Sequence, residues 1–223
     1  MRLYFAFLRW AFRLFYNPFA FTYDWVSALV SRGHWHAWTR AAIPHIVGSR
    51  VLEIPCGTGN LWLYLCAAGY VTIGVDLSSA MLNIAQKKFR RAARSEGNAA
   101  ESKSASLLRA RVQRLPFPSC AFDSITMTFP PGFAGDPQVF TELRRVLVEG
   151  GRLIWVDAAR LLPRDWLSRA LNAALDAVGG GGAPFQDFAT QILTHAGFQV
   201  QVDIVKDEAS VVTVVTGTRG SSL

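Results

Sequence analysis

Cysteine is scarce in this sequence, which has only three such residues among 223, namely Cys56, Cys66 and Cys120. Three scattered cysteines cannot form the disulfide framework of a small secreted domain, and they lack the paired spacing of a zinc ribbon. The sequence is therefore typical of a reducing compartment, and we expect a cytoplasmic location.

The sequence also lacks an apolar run long enough to span a membrane. Its first 21 residues are rich in Phe, but Arg9 and Arg13 interrupt them, and a span needs about 20 apolar residues. No small-residue cleavage site follows, so the segment does not have the pattern of a signal peptide either. We expect neither a transmembrane helix nor an exported protein.

Residues 1–16 instead have the pattern of an amphipathic helix. On a helical wheel Arg2, Arg9 and Arg13 fall within about 40° of one another, and much of the opposite side is apolar. Such a helix can lie on an anionic membrane, which would place the protein at the cytoplasmic membrane face. It can equally pack on its own domain or on a partner subunit. The sequence leaves these alternatives and the oligomeric state open.

Acidic residues are outnumbered, because 23 Lys and Arg against 16 Asp and Glu give a formal charge of +7. Hydrophobic residues form 51% of the chain, which is enough for a buried core and excludes a disordered protein. The basic cluster at 87–94 has the pattern of a solvated helix face without an aromatic platform for nucleic acid. Acidic headgroups or phosphorylated ligands are therefore favoured over nucleic acid as partners.

From residue 51 onward, apolar runs alternate with segments of helical period, which indicates alternating strands and helices. The predicted strands are 51–54, 71–76, 107–112, 122–129, 152–157, 199–206 and 210–216. The predicted helices are 60–68, 78–94, 138–147, 163–178 and 185–196, with a polar loop at 95–106. We predict an α/β fold: a doubly wound, mostly parallel seven-stranded, Rossmann-like sheet with a C-terminal antiparallel hairpin. Residues 1–46 would form the amphipathic helix and a helical lid, and residues 47–223 the ligand-binding domain.

A glycine-rich turn follows the first predicted strand, where the carboxyl ends of parallel strands form the ligand crevice. Gly57 and Gly59 allow backbone N–H groups to approach a ligand at the start of the next helix. Asp76 ends the second strand 19 residues beyond Gly57, and a carboxylate there can accept both hydroxyl hydrogens of an adenosine ribose. The spacing therefore predicts a nucleoside ligand.

Two further residues argue against a dinucleotide. The dinucleotide fingerprint requires Gly or Ala three residues after Gly59, where this chain has Trp62. Glu53 precedes the turn and would repel a pyrophosphate, but its carboxylate can receive the ammonium group of an amino acid. S-adenosylmethionine carries both a ribose and an amino-acid end. It is therefore the predicted ligand, and an NAD-dependent oxidoreductase is the disfavoured alternative.

Four ordered stretches resemble the motifs of the class I S-adenosylmethionine-dependent methyltransferases. They are Val51–Asn60 (VLEIPCGTGN), Gly74–Leu82 (GVDLSSAML), Leu115–Asp123 (LPFPSCAFD) and Glu142–Leu153 (ELRRVLVEGGRL). The resemblance covers about residues 45–160. It implies a methyltransferase with S-adenosylmethionine as cofactor, bound by the domain at 47–223.

The family pattern implies a role for each residue that matches it. Glu53 would bind the methionine amine, Asp76 the ribose hydroxyls, and Leu77 would pack on adenine. Gly57 and Gly59 would shape the loop under the cofactor. Beyond these matches, Pro55 and Cys56 of the same loop and Phe129 at the end of the fourth predicted strand are further predicted cofactor contacts.

Two residues depart from the family pattern. Pro55 stands where the family usually has glycine, and it removes one N–H donor from the turn. Arg111 stands where the family often has an aspartate that receives the adenine amino group, and a guanidinium cannot accept a hydrogen bond. Adenine would then be held by the backbone of Val112, by the side chain of Gln113 or by stacking of Arg111.

Residues 16–46 precede the cofactor motifs, where related enzymes often place a helical lid over the acceptor. Tyr16, Tyr23, Trp35 and Trp38 could line a large apolar acceptor pocket, or they could equally pack the lid onto the sheet. The predicted acceptor contacts are Tyr16, Tyr23, Trp35 and Pro130. We expect direct in-line methyl transfer, without a metal, to a small lipophilic acceptor such as a lipid or quinone-like compound.

His34 and His36 flank one tryptophan and are candidates for a general base. A metal site is not expected, because no Cys or acidic ligand nearby completes the histidine pair. The alternative from another class is a cofactor-binding regulatory or scaffold protein without turnover, for which Arg111 is the strongest sequence feature.

Overall fold

The computed structural model describes residues 20–95, 105–177 and 182–220. The predicted helix at 1–16 lies outside the described residues, as does most of the predicted loop at 95–106. Among the described residues, no helix is both long enough and apolar enough to cross a membrane.

The described chain alternates between strands and helices, as its sequence pattern indicates. The strands are β1 (Arg50–Glu53), β2 (Val71–Asp76), β3 (Ala105–Arg109), β4 (Phe122–Thr128), β5 (Leu147–Leu161), β6 (Phe198–Lys206) and β7 (Ser210–Arg219). The helices are α1 (Tyr23–Val30), α2 (Trp35–Arg40), α3 (Asn60–Ala67), α4 (Ser79–Ser95), α5 (Pro137–Val146), α6 (Trp166–Ala177) and α7 (Gly182–His195). Short 3-10 helices occupy Ala20–Thr22, Ile43–His45 and Gly132–Gly135.

All seven strands form one sheet in the order β3-β2-β1-β4-β5-β7-β6. The first five strands in this order are parallel, and β7 runs antiparallel to both β5 and β6. The predicted Rossmann-like fold with a C-terminal hairpin is therefore confirmed. The chain reverses its direction of travel across the sheet between β1 and β4, and open α/β sheets bind ligands in the crevice at such a switch point.

The hydrophobic core lies on both faces of the sheet, because successive strand residues point to opposite sides. On one face Trp155 of β5 packs against Phe140 of α5 and Phe185 of α7. On the other face the adjacent Ile154 belongs to a buried cluster that includes Trp38 of α2. Burial of one such large apolar side chain stabilises the fold by about 1.5–3 kcal/mol, so these layers hold the helices on both faces of the sheet.

Two strands depart furthest from their predicted bounds. The third strand ends before the predicted 107–112 is complete, so Val112 lies in the turn that follows it. The fifth strand extends beyond 152–157 at both ends. It continues past Asp157 because β7 pairs with its last residues across a register shift, where Ala158 has a positive φ of 54°. Pairing with a strand that is distant in the sequence thus lengthens β5 beyond the end that its local sequence pattern predicts.

Helix α6 begins three residues later than the predicted start at Pro163. The carboxylate of Asp165 accepts a hydrogen bond from the N–H of Ser168 at 2.7 Å. Because this bond satisfies a donor in the first helical turn, Asp165 caps the helix and sets its start at Trp166.

Candidate cofactor and acceptor site

A cavity of about 1100 Å³ opens at the carboxyl ends of β1, β2 and β4, at the switch point of the sheet. Its wall includes most of the predicted site residues, namely Tyr23, Trp35, Glu53, Pro55, Cys56, Gly57, Asp76, Leu77, Arg111, Val112, Phe129 and Pro130. The wall also includes four residues that we did not predict from the sequence, namely Thr58, Asn60, Arg109 and Phe133. The structure brings these residues together, and their contacts with ligands stay predictions. Tyr16 lies outside the described residues.

The cavity has two chemically different ends. We call the part around Glu53, Gly57 and Asp76 the cofactor end, and the part around Tyr23, Trp35 and Phe129 the lid end. The cofactor end is formed by strand termini and by the turn between β1 and α3. The lid end is formed by α1, α2 and the segment after β4. We call α1 and α2 together the lid.

The turn between β1 and α3 depends on its two glycines. Gly57, with φ of 52°, and Gly59, with φ of 78°, adopt the left-handed conformation that disfavours other residues. A Cβ on Gly59 would lie 2.7 Å from the Cβ of Ala85 in α4, so close packing excludes a side chain there. Gly59 therefore shapes the turn from behind, whereas Gly57 belongs to the cavity wall.

Asp76 braces the turn from the end of β2. Its carboxylate accepts hydrogen bonds from the N–H groups of Gly57 at 2.9 Å and Ser78 at 2.8 Å. Burial raises the pKa of Asp76, while the N–H donors of Ser78, Gly57 and Leu77 act in the opposite direction. Each carboxylate oxygen has a second lone pair, so Asp76 can accept ribose hydroxyls without releasing the turn.

Glu53 is a buried acid that has no complementary charge beside it in the described part of the chain. Its side chain is only 2% exposed, and its Oε2 atom has no hydrogen-bond partner among the described residues. Burial and the nearby carboxylate of Asp76 raise the pKa of Glu53 well above its ordinary value. An unsatisfied buried carboxylate costs free energy unless a cation or a donor reaches it. The ammonium group of S-adenosylmethionine would meet this requirement.

The predicted adenine pocket lies beside β3. Leu77 is 56% exposed at the cavity wall, and its backbone carbonyl accepts a hydrogen bond from Arg109 Nε at 3.0 Å. Val112 is buried, and Arg111 is exposed along the same wall. The structure thus places an apolar side chain and a planar guanidinium where adenine can pack, without the acid that the family often has.

The lid end is a stack of aromatic rings. Trp35 of α2 stacks on Phe129, with ring centroids 4.5 Å apart and ring planes inclined by 29°, and Tyr23 of α1 meets Trp35 edge-on at 6.1 Å. Trp38 instead is buried, and its Nε1 donates to Ser210 Oγ at 2.9 Å. The lid aromatics therefore divide: Tyr23 and Trp35 face the cavity, and Trp38 fastens the lid to the sheet. Phe129, which we predicted as a cofactor contact, also supports the lid.

Neither candidate histidine belongs to the described cavity wall. His34 stacks on Trp38, and its Nδ1 lies 3.5 Å from a carboxylate oxygen of Asp207 in the hairpin turn. His36 is exposed on α2. Over the described ranges, no three His, Cys, Asp or Glu side chains form a group that could hold a metal ion.

Comparison with known proteins gives consistent matches. The family model of a methyltransferase domain matches residues 51–151. A demethylmenaquinone methyltransferase of Symbiobacterium thermophilum is 32% identical, over 68% of this chain and 61% of its own length. A second one, of Thermus thermophilus, is 34% identical over 62% of each chain. This chain therefore spans about three fifths of the length of these curated relatives.

Solved structures agree on the fold. The crystal structure of an S-adenosylmethionine-dependent methyltransferase from Thermotoga maritima matches with a TM-score of 0.64 and 21% identity, over 93% of this chain and 98% of that one. At the cofactor end, the unsatisfied oxygen of Glu53, the glycine turn and Asp76 fit the amino-acid and ribose ends of the cofactor. The chain contains a methyltransferase domain at residues 51–151 and has the fold of the class I S-adenosylmethionine-dependent methyltransferases, with S-adenosylmethionine as its cofactor.

Proposed function

We propose that the protein transfers a methyl group from S-adenosylmethionine directly to a lipophilic, quinone-like acceptor, without a metal. The observation that carries this proposal is the continuity of the cavity, which joins the carboxylates of the cofactor end to the aromatic rings of the lid end. Pockets for one drug-sized ligand hold roughly 300–1,000 Å³. A volume of about 1100 Å³ can accommodate a cofactor and an acceptor side by side.

The residues of the chain mainly supply alignment. When bound, the cofactor supplies a methyl group activated by a sulfonium. Glu53 would hold the ammonium end and Asp76 the ribose, while Tyr23 and Trp35 hold a flat acceptor and exclude water. Orientation of this kind is what an in-line displacement requires of a protein.

The names of the relatives favour a quinone-like acceptor. A quinone ring is electrophilic, so methylation at a ring carbon requires the reduced hydroquinone. The electron pair of that carbon would form the new C–CH₃ bond, the pair of the S–CH₃ bond would stay on the sulfur of the departing thioether, and the ring would release one proton to water to restore aromaticity. Flat aromatic rings such as Trp35 and Phe129, already stacked in the lid end, suit such an acceptor.

The test is incubation of the full chain with methyl-labelled S-adenosylmethionine and a short-chain demethylmenaquinol under reducing conditions. We expect label in the quinol, and no label when the oxidised quinone replaces it and the reductant is omitted. Phospholipids and small amines serve as parallel acceptors. Cofactor binding without labelled product from any of them would support the scaffold alternative, and calorimetric binding of NAD but not S-adenosylmethionine would contradict the proposal.

We also propose that the outer face of the lid contacts an anionic membrane, from which such an acceptor would enter. On α1, Trp25 and Leu29 are 82% and 73% exposed and point away from Tyr23, which lines the cavity. Trp166 at the start of α6 is 74% exposed and lies near the end of the lid, where Arg32 pairs with Asp165. Exposed tryptophans beside arginines are typical of interfacial contact.

Liposome co-sedimentation tests this membrane contact. We expect the full chain to pellet with anionic vesicles and less with zwitterionic ones, and a Trp25→Ser, Trp166→Ser double variant to pellet less. A variant lacking residues 1–16 separates this surface from the predicted N-terminal helix. No pelleting above a vesicle-free control would contradict membrane association, and pelleting that the double variant leaves unchanged would contradict a contact through this surface.

A further inference from the structure

The lid and the cofactor turn share one carboxylate. Asp24, in the first turn of α1, accepts hydrogen bonds through Oδ1 from Thr58 Oγ1 at 2.7 Å and from Asn60 Nδ2 at 2.9 Å. Its Oδ2 atom lies 2.6 Å from Nζ of Lys88 in α4. The same ammonium donates to Asn60 Oδ1 at 2.6 Å, which closes the network.

This network reaches both ends of the cavity. Thr58 lies between the two glycines of the turn, and Asn60 begins α3; both line the cavity. Asp24 directly follows Tyr23, which lines the lid end. The turn is therefore held on one side by Asp76 through Gly57 N–H and on the other side by Asp24.

The charges in the network favour an ionised Asp24. Burial raises its pKa, but donors from Lys88, Thr58 and Asn60 outweigh burial, so the pKa lies below its ordinary value. Hydrogen bonds to a charged group are stronger than neutral ones. A displacement of the turn therefore disturbs the first turn of the lid, and a displacement of the lid disturbs the turn.

We propose that Asp24 is a positioning residue that couples the cofactor turn to the lid, so that binding of S-adenosylmethionine orders the lid over the acceptor space. Asp24 acts through Thr58 and Asn60. The coupling is reciprocal, because two sites that share one equilibrium must affect each other equally. The acceptor half of this inference rests on the proposed function, whereas the link from cofactor to lid does not.

Hydrogen exchange of the lid amides, residues 20–30, combined with calorimetry of S-adenosylmethionine binding, tests the coupling without any acceptor. In the wild-type protein we expect the cofactor to slow lid exchange. In Asp24→Asn, which keeps the shape but loses the charge, we expect the Kd for the cofactor to rise about tenfold and the cofactor-induced protection to disappear. Asp24→Glu should recover part of both.

Asp176→Asn is the matched control. Asp176 also pairs with an arginine, Arg160, but on the exposed side of α6. This variant should keep the wild-type Kd and the wild-type protection. Thermal melting of each variant confirms that the protein is folded, and Lys88→Met is a second route to the same loss.

The outcomes separate clearly. If Asp24→Asn exchanges faster without the cofactor but binds it with wild-type affinity and still gains protection, Asp24 is only structural and the coupling is wrong. If the wild-type protein binds the cofactor without protecting the lid, the coupling is also wrong. If the coupling is observed but no quinol is methylated, only the proposed acceptor fails.

Discussion

The two ends of the cavity are built in different ways. The cofactor end is assembled from strand termini and one turn, and its acids are fixed by backbone N–H groups or by burial. The lid end is assembled from side chains alone, in which rings from separate elements stack on one another. Electrostatics within the strand framework therefore governs the first end, and ring packing between separate elements governs the second. Substitutions at one end should leave the other nearly unchanged, except through Asp24.

The largest effect is expected for Glu53→Gln. Loss of the charge should raise the Kd for S-adenosylmethionine about 10- to 100-fold, because hydrogen bonds to charged groups contribute about 1.5–3 kcal/mol. The same change removes a buried carboxylate with a raised pKa, so the free protein should melt at a higher temperature. Calorimetry and thermal melting measure the two effects. Glu208→Gln, at an exposed turn, is the control, and unchanged cofactor binding in Glu53→Gln would refute the assignment.

Trp35→Leu tests the lid end. Loss of its stacking on Phe129 and of its edge-on contact with Tyr23 should raise the acceptor KM about fivefold to tenfold, since each aromatic pair contributes about 0.5–1.5 kcal/mol. The Kd for the cofactor should change less than about twofold. Steady-state kinetics with Trp25→Leu, on the outer face of α1, gives the comparison. A large loss of cofactor affinity in Trp35→Leu would show that the two ends are not separable.

Asp157 tests the strand framework that both ends share. Burial raises its pKa from 3.8 to about 6, despite a hydrogen bond from Ala158 N–H. The folded state then binds more protons than the unfolded state between these values, so stability falls as pH rises through this window. Urea unfolding at pH 4.5 and 7 measures this fall in the free energy of unfolding. In Asp157→Asn we expect the difference between the two pH values to be smaller by on the order of 1 kcal/mol. An equally steep fall in the variant would contradict this role.

The smallest effect is expected for Asp165→Ala. The change removes the cap of α6 and the partner of Arg32 at the far end of the lid. Helix caps contribute about 1 kcal/mol, and an exposed ion pair adds little. Urea unfolding should show a loss of about 1 kcal/mol, with cofactor affinity unchanged. A loss of acceptor binding larger than in Trp35→Leu would mean that this anchor positions the whole lid.

The same contrast explains what the sequence could predict. Glu53, Gly57 and Asp76 occupy a strand, a turn and a strand end whose spacing alone brings them to one crevice. The stack of Trp35 on Phe129 joins segments that are far apart in the chain, and no local pattern encodes it. The sequence therefore named both residues but placed Phe129 with the cofactor alone.

Asp24 shows the limit more sharply. An acid next to a lid tyrosine has no local pattern that marks it, and its partners Thr58, Asn60 and Lys88 lie 34, 36 and 64 positions away. The same holds for β5, whose extension beyond Asp157 is set by pairing with β7. Long-range pairing is fixed by the assembled sheet, whereas turns, caps and apolar periods are written locally.

The unsatisfied carboxylate oxygen of Glu53 has a consequence for the amount of the protein in a cell. A chain that holds this carboxylate without its ligand is less stable than the loaded chain, and ligand binding shifts folding by mass action. Proteases degrade unfolded molecules, so small differences in stability change steady-state amounts. Cells short of S-adenosylmethionine should therefore contain less of this protein at the same rate of synthesis. The supply of the methyl donor would then affect both the rate of the reaction and the amount of the protein.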